Sequence, residues 1–477
     1  MGGMLEQAHA KLGDITKRQR RKTPPRLAAV NDSPTPATTP EFSDDALALA
    51  FVARCFDNYR WSPGLGWMVD DGIVWSRDDR LRRYDEARSV CRESASRADE
   101  DGEAKRIASS RTVAAVLTLA QADQNIVLPS DLWDADPMEL NTPAGLVDLR
   151  TGTLKPRGLA FVTQAARVAP VDAACPTWER FLADVFVGDR ELIEFMRRAL
   201  GYCITGDRRE QILLFWYGLG ANGKSVLAEF LQWLGGSYTI KLPASALMQS
   251  KGERHPTELA QLRGKRLAVS SELDESSFFN ESLIKELTGD TTLSARFMRQ
   301  DFFEFEMQQK HVIVGNFKPR LRGGDPAMAR RMLLVPFLAS FKGSARDPHM
   351  LDKLKAEAPA ILHWIIGGAV EWATDGLGVP DAVRKASADY MADHDDLALW
   401  MDECCDVAAG LQCKAGDAYA SFAAWKKARG EHAPSLTSWG SRITTVPGIT
   451  KARSMGIRYH GFSLNYAAAE ALNADRR

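Results

Sequence analysis

Residues Gly218–Ser225 read GLGANGKS, between the strand-like run Gln211–Tyr217 (QILLFWY) and the helix-like run Val226–Leu231 (VLAEFL). No other stretch constrains the fold as tightly. Gly218, Gly220 and Gly223 let the backbone wrap an anion, so that successive N–H groups and the following helix N-terminus point at phosphate oxygens. Gly218, Gly220, Ala221, Asn222, Gly223, Lys224, Ser225 and Val226 are the candidate nucleotide contacts. Lys224 is placed to reach the β and γ phosphates. The Ser225 hydroxyl is the candidate Mg2+ ligand, with ATP and water supplying the rest of the shell.

A phosphate loop needs an acid at the tip of a neighbouring strand to hold the metal's water shell and polarise the attacking water. Arg266–Glu272 (RLAVSSE) offers Glu272 as that acid and as the second metal residue, with Asp274 close by. A third strand, His311–Gly315, leads to Asn316, whose amide can donate and accept and so suits a γ-phosphate sensor. Arg330 and Arg331 precede the apolar run at 332. An arginine inserted into a neighbouring subunit's site stabilises charge developing on the γ phosphate. Residues 292–305 alternate around a polar centre, which predicts a hairpin with Arg299 near its tip.

The runs Gln211–Tyr217, Arg266–Ser270, Lys310–Val314 and Met332–Phe337 alternate with helical segments at Lys224–Leu234 and Glu281–Thr288. That pattern predicts an α/β core, a mostly parallel sheet covered by helices. Before it, residues 1–45 pair the basic run Lys17–Lys22 with five prolines and read as a flexible arm. Residues 46–176 read as an α+β accessory domain, with helices at Asp44–Asn58 and Ile107–Ala122 and a hairpin at 145–154. The core with its helical lead-in, Thr177–Phe186 and Arg190–Tyr202, spans 177–345. A helical segment follows at 346–395, in which the stretch Asp347–Asp375 is helical and packs Trp364 and Trp372 in its core. Residues 396–477 predict helices at Leu397–Ala408, Ala415–Arg429 and Ser435–Thr445. Strands at Ile449–Arg453 and Ile457–Leu464 complete the outline of a winged helix, with Ser454–Gly456 as its wing turn.

Composition adds only bounds. With 477 residues, 45% hydrophobic, 26% charged and a net charge of -1, the chain fits several ordinary globular domains and has no overall attraction to nucleic acid. Charge is uneven, however: residues 411–477 hold ten Lys and Arg against four Asp and Glu, enough to touch phosphate. The seven cysteines form no CxxC pair and read as reduced thiols. No apolar run approaches a membrane span, so a cytoplasmic protein with no membrane partner is expected.

Taken in order, these segments resemble the superfamily 3 helicases of viruses, phages and plasmids, specifically the phage/plasmid primase-helicase branch related to poxvirus primase-helicases. Trp216–Ser225, Leu262–Glu272 with Asn280–Asp290, and Asn316–Pro319 leading to Arg330 and Arg331 carry the likeness. The Asp134–Pro137 segment, the Asp148–Gly152 hairpin and Trp178–Gly206 resemble the accessory domain of that branch. The resemblance implies an AAA+-like P-loop core, a hexameric ring, ATP with Mg2+, and 3′ to 5′ movement on single-stranded DNA. It implies catalytic roles for Lys224, Glu272, Asn316, Arg330 and Arg331, and DNA contacts at Lys285, Arg296 and Arg299.

The expected activity is helicase action at an origin or fork, for a phage, plasmid or integrated element in a bacterial host's cytoplasm. Only about 130 residues precede the accessory match, without a paired-acid primase site. That departure predicts a helicase served by a separate primase or replication initiator. Two other readings stay open: an ATP-switched origin-binding initiator that does not unwind processively, and a small-molecule kinase.

Overall fold

The computed structural model describes residues 40–249, 257–271, 278–296, 302–319, 321, 325–343, 346–393, 395–453 and 456–474. The described residues form two compact units, one from those within 1–61 and 78–128, the other from those within 62–77 and 129–477. In the first, helices α1 (Asp44–Cys55), α2 (Arg82–Ala95), α3 (Asp101–Ile107) and α4 (Ser110–Ala120) pack together. Ser43 and Ser109 cap α1 and α4 by accepting from Ala46 N and Thr112 N. Leu47, Phe51 and Val52 of α1 and Val113, Val116 and Leu117 of α4 are buried at helical spacing.

The second unit begins with the antiparallel hairpin β1 (Gly66–Asp70) and β2 (Trp75–Arg77), then a three-stranded antiparallel sheet. Its strands are β3 (Glu139–Thr142), β4 (Gly145–Asp148) and β5 (Thr153–Lys155), and β4–β5 is the hairpin expected around the Thr-Gly turn. Helices α5 (Pro176–Val185) and α6 (Arg190–Ile204) lead into the core as expected. Pro176 opens α5, where its missing N–H costs nothing. The Glu357 carboxylate accepts from Thr177 N and Trp178 N, both at 3.1 Å, and so caps the same helix end.

Next come β6 (Leu213–Tyr217), α7 (Lys224–Leu234), β7 (Thr239–Lys241), β8 (Leu267–Ser271) and α8 (Glu281–Gly289). They are followed by the antiparallel pair β9 (Thr292–Ala295) and β10 (Phe303–Glu306), then β11 (Lys310–Gly315), α9 (Pro326–Ala329) and β12 (Met332–Pro336). Strands β12, β6, β11, β8 and β7 lie in that order in one wholly parallel sheet. Along β6, Leu214 and Trp216 join the apolar cluster under α5, α6 and α7, while Leu213 and Phe215 join the cluster under α8, α9 and α12 (Asp381–Ala392). Both faces are covered, which explains the continuous apolar runs.

Two expectations need correction here. Glu272 was assigned to a strand beside the phosphate loop's strand, yet β8 is separated from β6 by β11. Crossover helices can skip a position, and lateral order leaves no local pattern in a chain. The stretch expected to be helical over Asp347–Asp375 is helical, as two helices, α10 (Met350–Ala356) and α11 (Ala358–Asp375), but it does not bury both of its tryptophans. Pro359 sits in the first turn of α11 and cannot continue a helix arriving from α10. Trp372 is buried against Tyr202, with ring centroids 4.8 Å apart, whereas Trp364 is only half-buried and meets Trp178 edge-on at 5.4 Å.

Inside the sheet, His311 of β11 is buried with neither ring nitrogen hydrogen-bonded among the described residues. Burial, reinforced by the charge of Arg208, pushes its imidazole down to about 3. The unfolded value is near 6.5, so this contribution to stability is complete above pH 6.5 and is lost as pH falls toward 3, at about 1.4 kcal/mol per pH unit. His311→Leu should therefore lose less melting temperature than wild type between pH 7 and pH 5. Equal losses in parallel thermal melts would show that His311 is not the acid-labile group.

The C-terminal segment holds α13 (Asp396–Cys404), β13 (Cys405–Lys414), α14 (Ala415–Ala428), α15 (Leu436–Ile443), β14 (Thr450–Arg453), β15 (Ile457–Leu464) and α16 (Tyr466–Ala474). The sheet order is β13-β15-β14, antiparallel. The helix expected over Leu397–Ala408 stops at Cys404, and the next ten residues are a strand. Val407 pairs with Phe462 and Gln412 with His460, so residues 408–411 bulge out of the ladder. Cross-strand pairing with a segment about fifty residues on overrides the helical look of the alanines. The wing turn falls partly on Ser454 and Met455, outside the described residues. Among the described residues, no helix is long and apolar enough to cross a membrane.

Candidate functional site

The backbone of the 218–223 loop takes conformations that the glycines make possible. Gly218 has φ 155°, and a Cβ there would stand 2.2 Å from the Phe337 carbonyl oxygen. Gly223 has φ 87°, and a Cβ would meet Val185 Cγ2 at 2.6 Å. Gly223 is also the N-cap of α7 and supplies no side-chain acceptor, which leaves the first N–H groups of that helix for a ligand.

Lys224 opens α7 and is only 3% exposed. Its Nζ donates to the Gly218 carbonyl at 2.7 Å and to Asn222 Oδ1 at 2.9 Å, and Asn222 Nδ2 in turn donates to the Phe337 carbonyl at 3.0 Å. Both acceptors of the ammonium are neutral. Burial pushes it down to about 8. A desolvated cation held by neutral oxygens at the mouth of a glycine loop is electrostatically suited to an anion. Ser225, one position on, is exposed.

A cavity of about 540 Å³ opens over the loop, lined by Gly220 to Val226 with Asp184, Asn316, Phe341, Arg346 and Asp347. Asn316 follows β11, the strand directly beside β6, and a Cβ on Gly220 would lie 4.0 Å from Asn316 Nδ2. The structure thus brings Asn316 to the loop. Phe341 N donates to the Ala221 carbonyl at 2.6 Å, tying the segment after β12 onto the loop. Arg346 from that segment is not singled out by any sequence pattern. An isolated arginine in a polar stretch carries no local signal, and only the return of the chain past β12 places it here.

Arg330 and Arg331 lie at the start of β12. Met332 pairs with Leu213 and Pro336 with Tyr217, so the arginines sit at the end of the sheet away from their own loop. Five residues of β6 span about 16 Å at ~3.3 Å per residue. The two side chains also differ. Arg331 is 8% exposed, its Nε donating to Thr288 Oγ1 at 3.0 Å and its Nη1 to the Ala327 carbonyl at 3.0 Å. Arg330 is exposed.

Of the residues implicated in DNA contact, Lys285 is engaged with the Asp325 carboxylate, which also caps α9 through Ala327 N at 2.8 Å. Arg296 is exposed at the end of β9, its guanidinium 4.9 Å from the Phe302 ring centroid. Glu272, Asp274 and Arg299 lie outside the described residues. Among the described residues no group of three or more His, Cys, Asp or Glu could hold a metal unaided. A metal brought in by a nucleotide needs fewer protein ligands.

Residues 48–187 match the family model "D5 N terminal like", and residues 216–331 match "Family of unknown function (DUF5906)", which runs from the strand before the loop to Arg331. These matches are consistent with the D5-like superfamily 3 helicase family. Among similar proteins is one from Frog virus 3 (isolate Goorha) called "Putative helicase 022R", 26% identical over 279 residues, 53% of this chain and 28% of that protein. Another, "Putative helicase 184R" of Invertebrate iridescent virus 6, is 31% identical over 166 residues, 33% of this chain and 17% of that one. The matched part thus spans less than a third of either relative's length. A solved structure, the apo NrS-1 C terminal region, is 12% identical with a TM-score of 0.49, covering 89% of this chain and 100% of that one.

Proposed function

We propose that this D5-like chain is an ATP-dependent DNA helicase of a phage, plasmid or integrated mobile element, built on an AAA+-like P-loop core and working as a ring on single-stranded DNA. The observation that carries the reading is Lys224: a buried ammonium with neutral partners, in a glycine loop at a helix N-terminus, beside Asn316. The donor set fits a nucleotide polyphosphate with its Mg2+, whose hydrolysis supplies the free energy of movement.

Within that reading the chain's residues divide the work. With nucleotide bound, Lys224 would exchange its Gly218 and Asn222 acceptors for phosphate oxygens, the α7 N–H groups would face the polyphosphate, and Ser225 would hold the metal. Asn316 would orient the attacking water, and Glu272 would polarise it. Arg346, from the same subunit, lines the cavity as a further cation for the polyphosphate. Arg330, exposed and a full strand length from its own loop, serves the loop of the next subunit in a ring, probed by subunit mixing. The hairpin β9–β10, with Arg296 and Arg299, faces the DNA. The C-terminal segment is read as a winged helix.

The partners on this reading are single-stranded and origin DNA, further copies of the chain in a hexameric ring, and a separate primase or replication initiator. The test is ATP-dependent displacement of a strand from a tailed duplex. Nucleotide-dependent DNA footprinting without displacement would favour an ATP-switched origin-binding initiator instead.

A further inference from the structure

We propose that the second compact unit carries a further ligand site, for a guanine base, in a cavity that Arg263 and Asp134 both line without being joined to each other. The proposal does not rest on the ATP reading. The cavity holds about 850 Å³ and lies where three strands of the parallel sheet begin, Gln211 preceding β6, Arg263 preceding β8 and Gln308 preceding β11. The phosphate loop follows the other end of β6. All of the lining belongs to the second unit. Small-molecule sites run to about 300–1,000 Å³, so a nucleoside has room here.

The Arg263 guanidinium lies 5.5 Å from the Phe303 ring centroid and donates no hydrogen bond among the described residues. None of its nitrogens is sealed from solvent, although burial holds the group below the ordinary arginine value. Asp134 is fixed in the wall. Its φ is 48°, its N–H donates to the Phe161 carbonyl at 2.9 Å, and its carboxylate accepts from Thr163 N at 2.8 Å and from Thr163 Oγ1. A residue other than glycine keeps that left-handed backbone only where its surroundings determine it. Burial pushes the Asp134 carboxyl up in spite of the Thr163 bonds and the charge of Arg263. No ion pair or hydrogen bond joins the two side chains, so both keep capacity for a ligand.

A desolvated donor fork and a desolvated acceptor in one cavity select a ligand with two adjacent acceptors on one edge and two adjacent donors on the next. Guanine is such a base. Its O6 and N7 suit the guanidinium fork, and its N1–H and 2-amino group suit the carboxylate. Adenine would set an amino donor against the guanidinium in place of O6. Trp75 and Trp133, edge-on at 73° with ring centroids 5.8 Å apart, form an apolar wall for a flat ring. Exposed Asp131, Asp290, Glu304 and Glu306 also line the cavity and repel a polyphosphate tail. The ligand is therefore the base with little charge attached, as free guanosine or as a guanine turned out of a single strand.

The experiment is equilibrium dialysis of the full chain against guanosine, adenosine and inosine with ATP saturating, followed by fluorescence anisotropy on single strands. Guanosine should bind about tenfold or more tighter than adenosine, and also than inosine, which keeps O6 and N7 but lacks the 2-amino group. Arg263→Gln should lose about the same factor at an unchanged melting temperature, since no described hydrogen bond is broken. A strand containing guanine, compared with an all-thymine strand, identifies the source. A guanine preference that Arg263→Gln abolishes assigns the strand's base, whereas guanosine binding with equal affinity for the two strands assigns the free nucleoside. Adenosine or inosine bound as tightly as guanosine, guanosine displaced by ATP, or a folded Arg263→Gln protein that binds as wild type would overturn the proposal. So would the absence of both guanosine binding and a guanine preference. If Arg263→Gln does not fold, the inosine comparison on wild-type protein decides.

Discussion

Replacing Lys224 with alanine is expected to lower ATP hydrolysis by on the order of 10²–10³-fold or more, measured as phosphate release at saturating ATP. The size follows from where the ammonium sits. It is buried, its acceptors are the neutral Gly218 carbonyl and Asn222 Oδ1, and the cavity above it opens to the helix N-terminus. Nothing else described on the loop supplies a positive side chain. The fold should survive, because Asn222 keeps its bond to the Phe337 carbonyl and α7 keeps its buried Leu227, Phe230 and Leu231. Circular dichroism can verify that. A variant that folds and retains a tenth of wild-type turnover would remove Lys224 from the phosphate site.

Arg330→Ala and Arg331→Ala are expected to fail in different ways. Loss of Arg330 should cost on the order of 10³-fold in hydrolysis without a change in melting temperature, since its side chain is exposed. Mixed with wild type, the inactive subunits should depress activity more steeply than dilution, because each withholds its arginine from a neighbour. Arg331→Ala should instead destabilise the core by about 2–3 kcal/mol, through loss of the bonds to Thr288 and the Ala327 carbonyl in a buried setting. Turnover that falls only in proportion to dilution in the Arg330 mixture would mean that the site is complete within one subunit.

The difference between these adjacent arginines shows where sequence reasoning ends. The pair is visible as a pair, but one side chain turns under α8 and the other out to solvent, a matter of one residue's rotation at a helix end. The loop itself was legible because glycine spacing, an apolar strand and an amphipathic helix are local patterns. So were Asn316 at the end of a strand and the helices α5 and α6, whose buried residues recur at helical spacing. What stayed hidden depends on distant segments. The placing of β11 between β6 and β8, the arrival of Arg346 over the loop, and the strand at Cys405–Lys414 are all set by chain returns and cross-strand pairing. Pro359 did carry a readable signal for the break between α10 and α11.

The central claim is that ATP bound at Lys224 drives strand separation. It is tested most directly by incubating the purified chain with a labelled strand annealed to leave a single-stranded tail, with ATP and Mg2+, with ADP, and with Lys224→Ala in parallel. Displacement with ATP alone, absent with ADP and in the variant, is the predicted result. No displacement by wild-type protein that hydrolyses ATP and binds the same substrate, or equal displacement by the Lys224 variant, would contradict it.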